Sequence, residues 1–168
     1  MIDEQRTRPV LTGDERATLT SVLQGQRDTL MMKCAGLSEQ QLRTRAVAPS
    51  RLSLLGLVRH LAEVERGWFR NVLGGEDVRG YFPENEAGER TEFLVEDADV
   101  ADSFRIWEET CERSRAIVDA AESLDVTGHF GDQSYSLHYI LTHMIEEYAR
   151  HNGHADLLRE AIDGTTGE

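Results

Sequence analysis

Glu147, His151 and His154 follow one another at steps of four and three residues in a segment where Leu137, Ile140, Met144 and Leu158 keep the same spacing. The pattern predicts one long helix whose apolar seam is interrupted by a carboxylate and two imidazoles. At 100° per residue, the seam from Ile140 onward covers an arc of roughly 80°. The three polar side chains therefore fall on the face expected to meet other helices. A carboxylate buried there without a partner is strongly destabilising. Two arrangements could satisfy it: a buried salt-linked network, or a divalent cation held by Glu147 and His151, which stand one turn apart. The cation is the more economical, because one ion serves the acid and the bases together.

A tetrahedral site needs a third protein ligand and, if catalytic, keeps its fourth position open. His60 is the natural third. It edges a second helical stripe of Leu54, Leu57, Leu61, Val64, Trp68 and Val72, and helix bundles commonly build metal sites from facing helices. The candidate ligand set is thus His60, Glu147 and His151. His154, next along the seam, reads as a hydrogen-bonding partner of a ligand. His143, one turn before Glu147, is the rival ligand. His138 points off the seam and His129 falls in a turn, both exposed. Gly56 and Gly67 share the surface strip of His60, which means either close helix packing or space left for a ligand. Trp68 and Trp107 read as core anchors. Cys34 and Cys111 show no zinc or redox spacing and read as small buried hydrophobes.

The elements that must position these residues are mostly helical. Thr12 and Glu15 fit a capping box opening a helix through Leu19, Leu23, Leu30, Cys34 and Leu37. Ser38–Gln41 opens a short second helix. Ser53 caps the helix carrying His60, which runs to Leu73 and stops at Gly74 and Gly75. Residues 75–98 form a long loop rich in Glu, Asp and Gly, with a brief extended piece at Glu92–Val95. A further helix spans Asp99 to Ser123, with Val100, Phe104, Trp107, Cys111, Val118 and Ala121 inward. A turn through Gly128 and Gly131 leads to the last helix, which ends at Gly164. The expectation is an all-α fold: one antiparallel four-helix-bundle domain over residues 1–168, with 1–11 as a loose arm.

Composition narrows the function. The 168 residues carry 18 Lys and Arg against 31 Asp and Glu, a net charge of −13. Such a chain lacks the basic face that nucleic acid or anionic lipid requires. No apolar run approaches a membrane span, and the first twenty residues lack the apolar core of a signal peptide. The sequence reads as a soluble cytoplasmic protein, a monomer or a homodimer.

Three segments carry a family resemblance: Gly36-Leu-Ser-Glu-Gln-Gln-Leu42; Gly56-Leu-Val-Arg-His-Leu-Ala-Glu-Val-Glu-Arg-Gly-Trp-Phe69; and His143-Met-Ile-Glu-Glu-Tyr-Ala-Arg-His-Asn-Gly-His-Ala-Asp-Leu-Leu-Arg-Glu160. Across nearly its full length the chain resembles the DinB/YfiT-like superfamily of metal-binding four-helix bundles, and within it the branch of mycothiol S-transferases. The resemblance implies that His60 and His151 are metal ligands, with Glu147 at the position four residues before the last. That position is histidine in many members, and glutamate resembles the variant of mycothiol-dependent isomerases. Zinc is the expected ion, and the carboxylate widens the choice toward nickel, manganese or iron. The implied activity is conjugation of a low-molecular-weight thiol, mycothiol, to electrophiles through a metal-bound thiolate, a detoxification reaction. Three alternatives stand beside it: a thiol-dependent isomerase, a metal-dependent hydrolase, and a non-enzymatic, stress-associated metal-binding protein.

Overall fold

The computed structural model describes residues 6–167. Its elements are α1 (Glu15–Cys34), α2 (Glu39–Arg43), α3 (Leu54–Glu65), a π-helical continuation of α3 (Arg66–Leu73), a 3₁₀ turn (Thr91–Phe93), α4 (Val100–Ala120), β1 (Thr127–Phe130), β2 (Gln133–Ser136) and α5 (Leu137–Asp163). The fold is mostly helical with one small antiparallel hairpin. Helix α1 packs on α5, α3 on α4, and α3 also on α5.

Polar residues at the helix ends set the boundaries. Asp14 caps α1, accepting from the Ala17 amide at 2.7 Å. The expected capping box at Thr12 does not form: Asp14 sits nearer the first core residue, and its carboxylate is the better acceptor for the orphan amides. Ser38, Ser53, Asp99 and Ser136 cap the later helices, Ser38 in a full capping box with Gln41. Two C-terminal ends are closed by arginines from other helices. Arg16 donates to the Val118 and Ala121 carbonyls, and Arg159 to those of Lys33 and Ala35. Within the expected arm, residues 1–5 lie outside the described residues. The remainder is held against α1, with Thr7 N–H donating to Asp28 and Val10 N–H to Ser21.

The second half of the His60 helix departs from the expected stripe. From Arg66 the backbone widens, and the Gly74 amide bonds the Phe69 carbonyl at 2.8 Å. The wider turn rotates the face by one position. Leu57, Leu61, Glu65, Phe69 and Val72 point inward, while Val64 and Trp68 are left half-buried. Trp68 is therefore not the core anchor its spacing implied. Phe69 takes that place with no exposure.

The turn expected through Gly128 and Gly131 is the β1–β2 hairpin, with Thr127 opposite Ser136 and Phe130 opposite Gln133. His129 lies on β1, not in a turn. Strands of four residues, TGHF and QSYS, are too short to show a period. A Cβ at Gly128 would come 2.1 Å from the Val72 carbonyl oxygen, so only glycine lets the hairpin seat on the π-helical end of α3. The extended piece expected at Glu92–Val95 is instead the 3₁₀ turn, and α4 ends at Ala120 rather than Ser123.

A polar network sits inside the helical core. Arg27 of α1 donates from Nε and Nη2 to the two oxygens of Glu65 on α3, at 2.7 and 2.9 Å. Tyr148 of α5 donates to Glu65 Oε1 at 2.9 Å, and Trp107 of α4 donates to the Tyr148 hydroxyl at 2.9 Å. Glu65 has no exposure and Arg27 has 4 %. Glu65→Ala strands a buried guanidinium, and urea unfolding should show a loss of about 3–5 kcal/mol. Pairing Arg27→Met with Glu65→Leu removes both charges together and should recover most of that loss.

Candidate metal centre

Helices α3 and α5 bring His60, Glu147 and His151 together. One ligand atom from each lies within 4.8 Å of the other two, and among the described residues this is the group able to hold a metal ion. The His60 and His151 rings stand 4.7 Å apart at 71°, and His151 Nε2 is 3.5 Å from Glu147 Oε2. His154 presents Nδ1 to His151 Nδ1 at 3.3 Å. His143 stacks on Tyr139 and leans on Trp68, with Nε2 3.8 Å from Glu147 Oε1, and lies outside the three-residue group.

The face of α5 differs from the expected seam. Its buried side chains are Leu137, Ile140, Leu141, Met144, Tyr148, Asn152, Ala155 and Leu158. From Met144, Tyr148 stands about 40° to one side and Glu147 about 60° to the other. The Tyr148 side meets α1 and α4, through Asn152 to Gln26 and Tyr148 to Trp107. Glu147, His151 and His154 form the half-buried flank that faces α3. Among the described residues, the buried carboxylates are Glu65 and Glu92.

Spacing gave no sign of Glu92. It lies in the 3₁₀ turn of the long loop, only 3 % exposed, with Oε1 3.6 Å from His60 Nδ1. It also pairs with Arg90, whose Nη2 is 3.2 Å from the same His60 nitrogen. Phe93 of this turn stacks on the His60 ring at 5.3 Å. A Cβ on Gly56 would come 3.3 Å from Phe93, so this glycine serves close packing, whereas Gly67 faces open space. The turn is fastened to α3 by Arg59, which donates to the Thr91 and Glu92 carbonyls at 2.9 and 3.0 Å.

The donor chemistry fits a divalent cation. His60 turns Nδ1 toward Arg90 Nη2 and Glu92 Oε1; in the tautomer protonated on Nδ1, the Nε2 lone pair is the one free to ligate. Burial lowers the His60 pKa, with Arg90 adding to the effect against Glu92 and Glu147. Burial lowers His151 further, to about 4, helped by the neighbouring His60 and His154. Both imidazoles are thus neutral at pH 7, the form that ligates. Two imidazoles and one carboxylate make a three-ligand set of the kind used by catalytic zinc sites.

The family model described as Mycothiol-S-transferase matches residues 18–164. The chain belongs to that family. The matched residues include His60, the 91–93 turn, Glu147 and His151. No curated protein matches the chain. No helix among the described residues is long and apolar enough to cross a membrane.

Two measurements follow from this geometry. Glu92→Gln keeps the shape but removes the carboxylate charge 3.6 Å from His60 Nδ1, and competition against a chromophoric chelator should show metal affinity about 10–100-fold lower. The metal-free protein should also lose stability in acid. The folded pKa of His151 lies below its unfolded value of 6.5, so between pH 6.5 and about 4 the unfolded chain binds more protons. Stability is then greatest above pH 6.5 and falls toward pH 4. His151→Gln should flatten that part of a Tm-against-pH curve.

Proposed function

We propose that this protein is a metal-dependent S-transferase that joins a low-molecular-weight thiol, mycothiol, to an electrophile, with His60, Glu147 and His151 as the metal ligands. Zinc is the ion proposed, with nickel, manganese or iron able to occupy the same donors. The reading includes one domain built as an antiparallel bundle of α1, α3, α4 and α5. The observation that carries it is the convergence of three ligand atoms from α3 and α5 within 4.8 Å, in a chain of the mycothiol-S-transferase family.

A divalent cation supplies thiol activation, since coordination deprotonates a thiol whose free pKa is near 8.5. The chain's own residues do the rest. Neutral His60 and His151 offer lone pairs without first losing a proton. Glu147 contributes one negative charge, leaving a site that attracts a second anion, the thiolate. Glu92, fixed by Arg90 and by the arginine clamp on its backbone, holds a carboxylate beside His60 Nδ1. Phe93 covers one face of the His60 ring. A three-ligand site leaves room for sulfur.

The deciding assay measures thiol and electrophile together in the metal-loaded protein. Turnover should require both metal and mycothiol, with one thiol consumed per S-conjugate formed. His151→Ala should lose most of the metal and the activity with it. Thiol needed but not consumed would make the protein an isomerase, and turnover without thiol a hydrolase. Full metal retention in both His60→Ala and His151→Ala would remove the ligand assignment.

A further inference from the structure

We propose that the cavity beside the three ligands is the electrophile's binding site, and that it takes an uncharged compound with a flat ring. The inference rests on the S-transferase reading for the word electrophile. The ring-binding property stands on the cavity alone.

The cavity has a volume of about 530 Å³, within the range of small-molecule sites and enough for a two-ring compound. It lies between the π-helical part of α3, the loop at 80–92 and the tip of β1. It touches the ligand cluster through Arg90 and Glu92 and approaches it through Trp68 and His143. On one side Arg90 and Glu92 line it while reaching His60 Nδ1 at 3.2 and 3.6 Å. On the other, Trp68 lines it while its ring lies 4.6 Å from that of His143, whose Nε2 is 3.8 Å from Glu147. None of the three ligands lines the cavity itself, so the reacting carbon of a bound ring extends past Arg90 and Glu92 toward His60.

The walls decide the ligand. Trp68, Val64, Val72, Phe82, Pro83 and Phe130 supply flat or apolar surface. Phe130, 71 % exposed, adds an aromatic ring to the cavity lining. Trp68 faces the cavity because the widened helix turned it out of the core, and Tyr135 holds it edge-on at 5.1 Å. Phe82 is backed by the Arg59 guanidinium at 3.8 Å from its ring centre. Gly67 adds no side chain to fill the space. The charges lining the cavity are already committed. Arg66 donates to Glu63, Asn71 and the Val78 carbonyl, and Arg90 pairs with Glu92. Glu63 also accepts from the Phe82 amide, and Glu84 leaves a negative charge at the rim. An anionic ligand would shed its water against a lining whose two guanidiniums are already balanced by Glu63 and Glu92 and which Glu84 leaves net negative, whereas a neutral ring gains aromatic contact on several sides.

For a halogenated ring the step is a displacement. The thiol proton leaves to solvent, a carbon–sulfur bond forms, and the carbon–halogen bond breaks with release of halide.

The test uses the full chain and two probes of one shape, neutral 2-naphthol and anionic 2-naphthoate. Binding is followed by calorimetry and by the two indole N–H signals in a ¹H–¹⁵N spectrum. The expected result is that 2-naphthol binds and moves the Trp68 signal but not that of Trp107. 2-Naphthoate should bind about tenfold more weakly, because its carboxylate is desolvated without a partner. Phe130→Ser, an exposed change, and Gly67→Leu, which fills the space, should each weaken 2-naphthol. In turnover of 1-chloro-2,4-dinitrobenzene, 2-naphthol should compete with the electrophile and not with the thiol. No 2-naphthol binding, equal binding of the anion, or displacement of 2-naphthol by mycothiol would each overturn the proposal. Binding at Trp68 in a protein that takes up no metal would leave the ring site standing while removing the S-transferase reading.

Discussion

The bidentate pair of Arg27 and Glu65 is the constraint around which the rest of the molecule is arranged. It joins α1 to α3 with no exposure of the carboxylate, and Tyr148 and Trp107 extend it to α5 and α4. A pair desolvated to this degree contributes little net stability, yet is costly to break, so it acts chiefly on geometry. It fixes the rotation of α3 five residues after His60, and that of α5 one residue after Glu147. Two of the three proposed ligands are thereby aimed by a network that never touches the site.

The same network marks where α3 changes character. Up to Glu65 the helix is regular; from Arg66 it is widened. Extra width in one turn moves a neighbouring residue to a different face, and stretches of this type are frequent at functional sites. Here the change buries Phe69, presents Trp68 to the cavity and gives the hairpin a seat that Gly128 alone can accept. The loop closes the arrangement from the other side. Arg59, Glu63 and Arg66 of α3 bind its backbone, so a segment without regular structure is nevertheless fixed in place.

Period-based reading reached what is local and regular. The helices, the caps at Ser38 and Ser53, the stop at Gly164 and the grouping of His60 with Glu147 and His151 all follow from spacing or from short motifs. What it missed depends on contacts across the chain or on a broken period. The widened turn after Glu65 has no signature in the apolar pattern, so Trp68 was assigned to the core. Glu92 sits in a loop without periodicity, and its burial comes from Arg59, Arg90 and His60, which are distant or irregularly spaced. The seam on α5 was placed on the flank because Tyr148 and Asn152 are polar enough to look external. Both are internal by virtue of partners on other helices.

The two cysteines bring a different consequence. Cys34 is enclosed with its pKa pushed up to about 12 by burial. Cys111, beside the Glu65 carboxylate and the Tyr148 hydroxyl, is raised by burial and by that negative charge. The reactive form of sulfur is the thiolate, and at neutral pH a thiol with a pKa near 12 is ionised in only about one molecule in 10⁵. A protein that brings a reactive carbon compound next to an activated thiol runs the hazard of being alkylated itself. Burial keeps both cysteine thiols protonated and enclosed, so neither would compete with the thiol that the protein is proposed to activate.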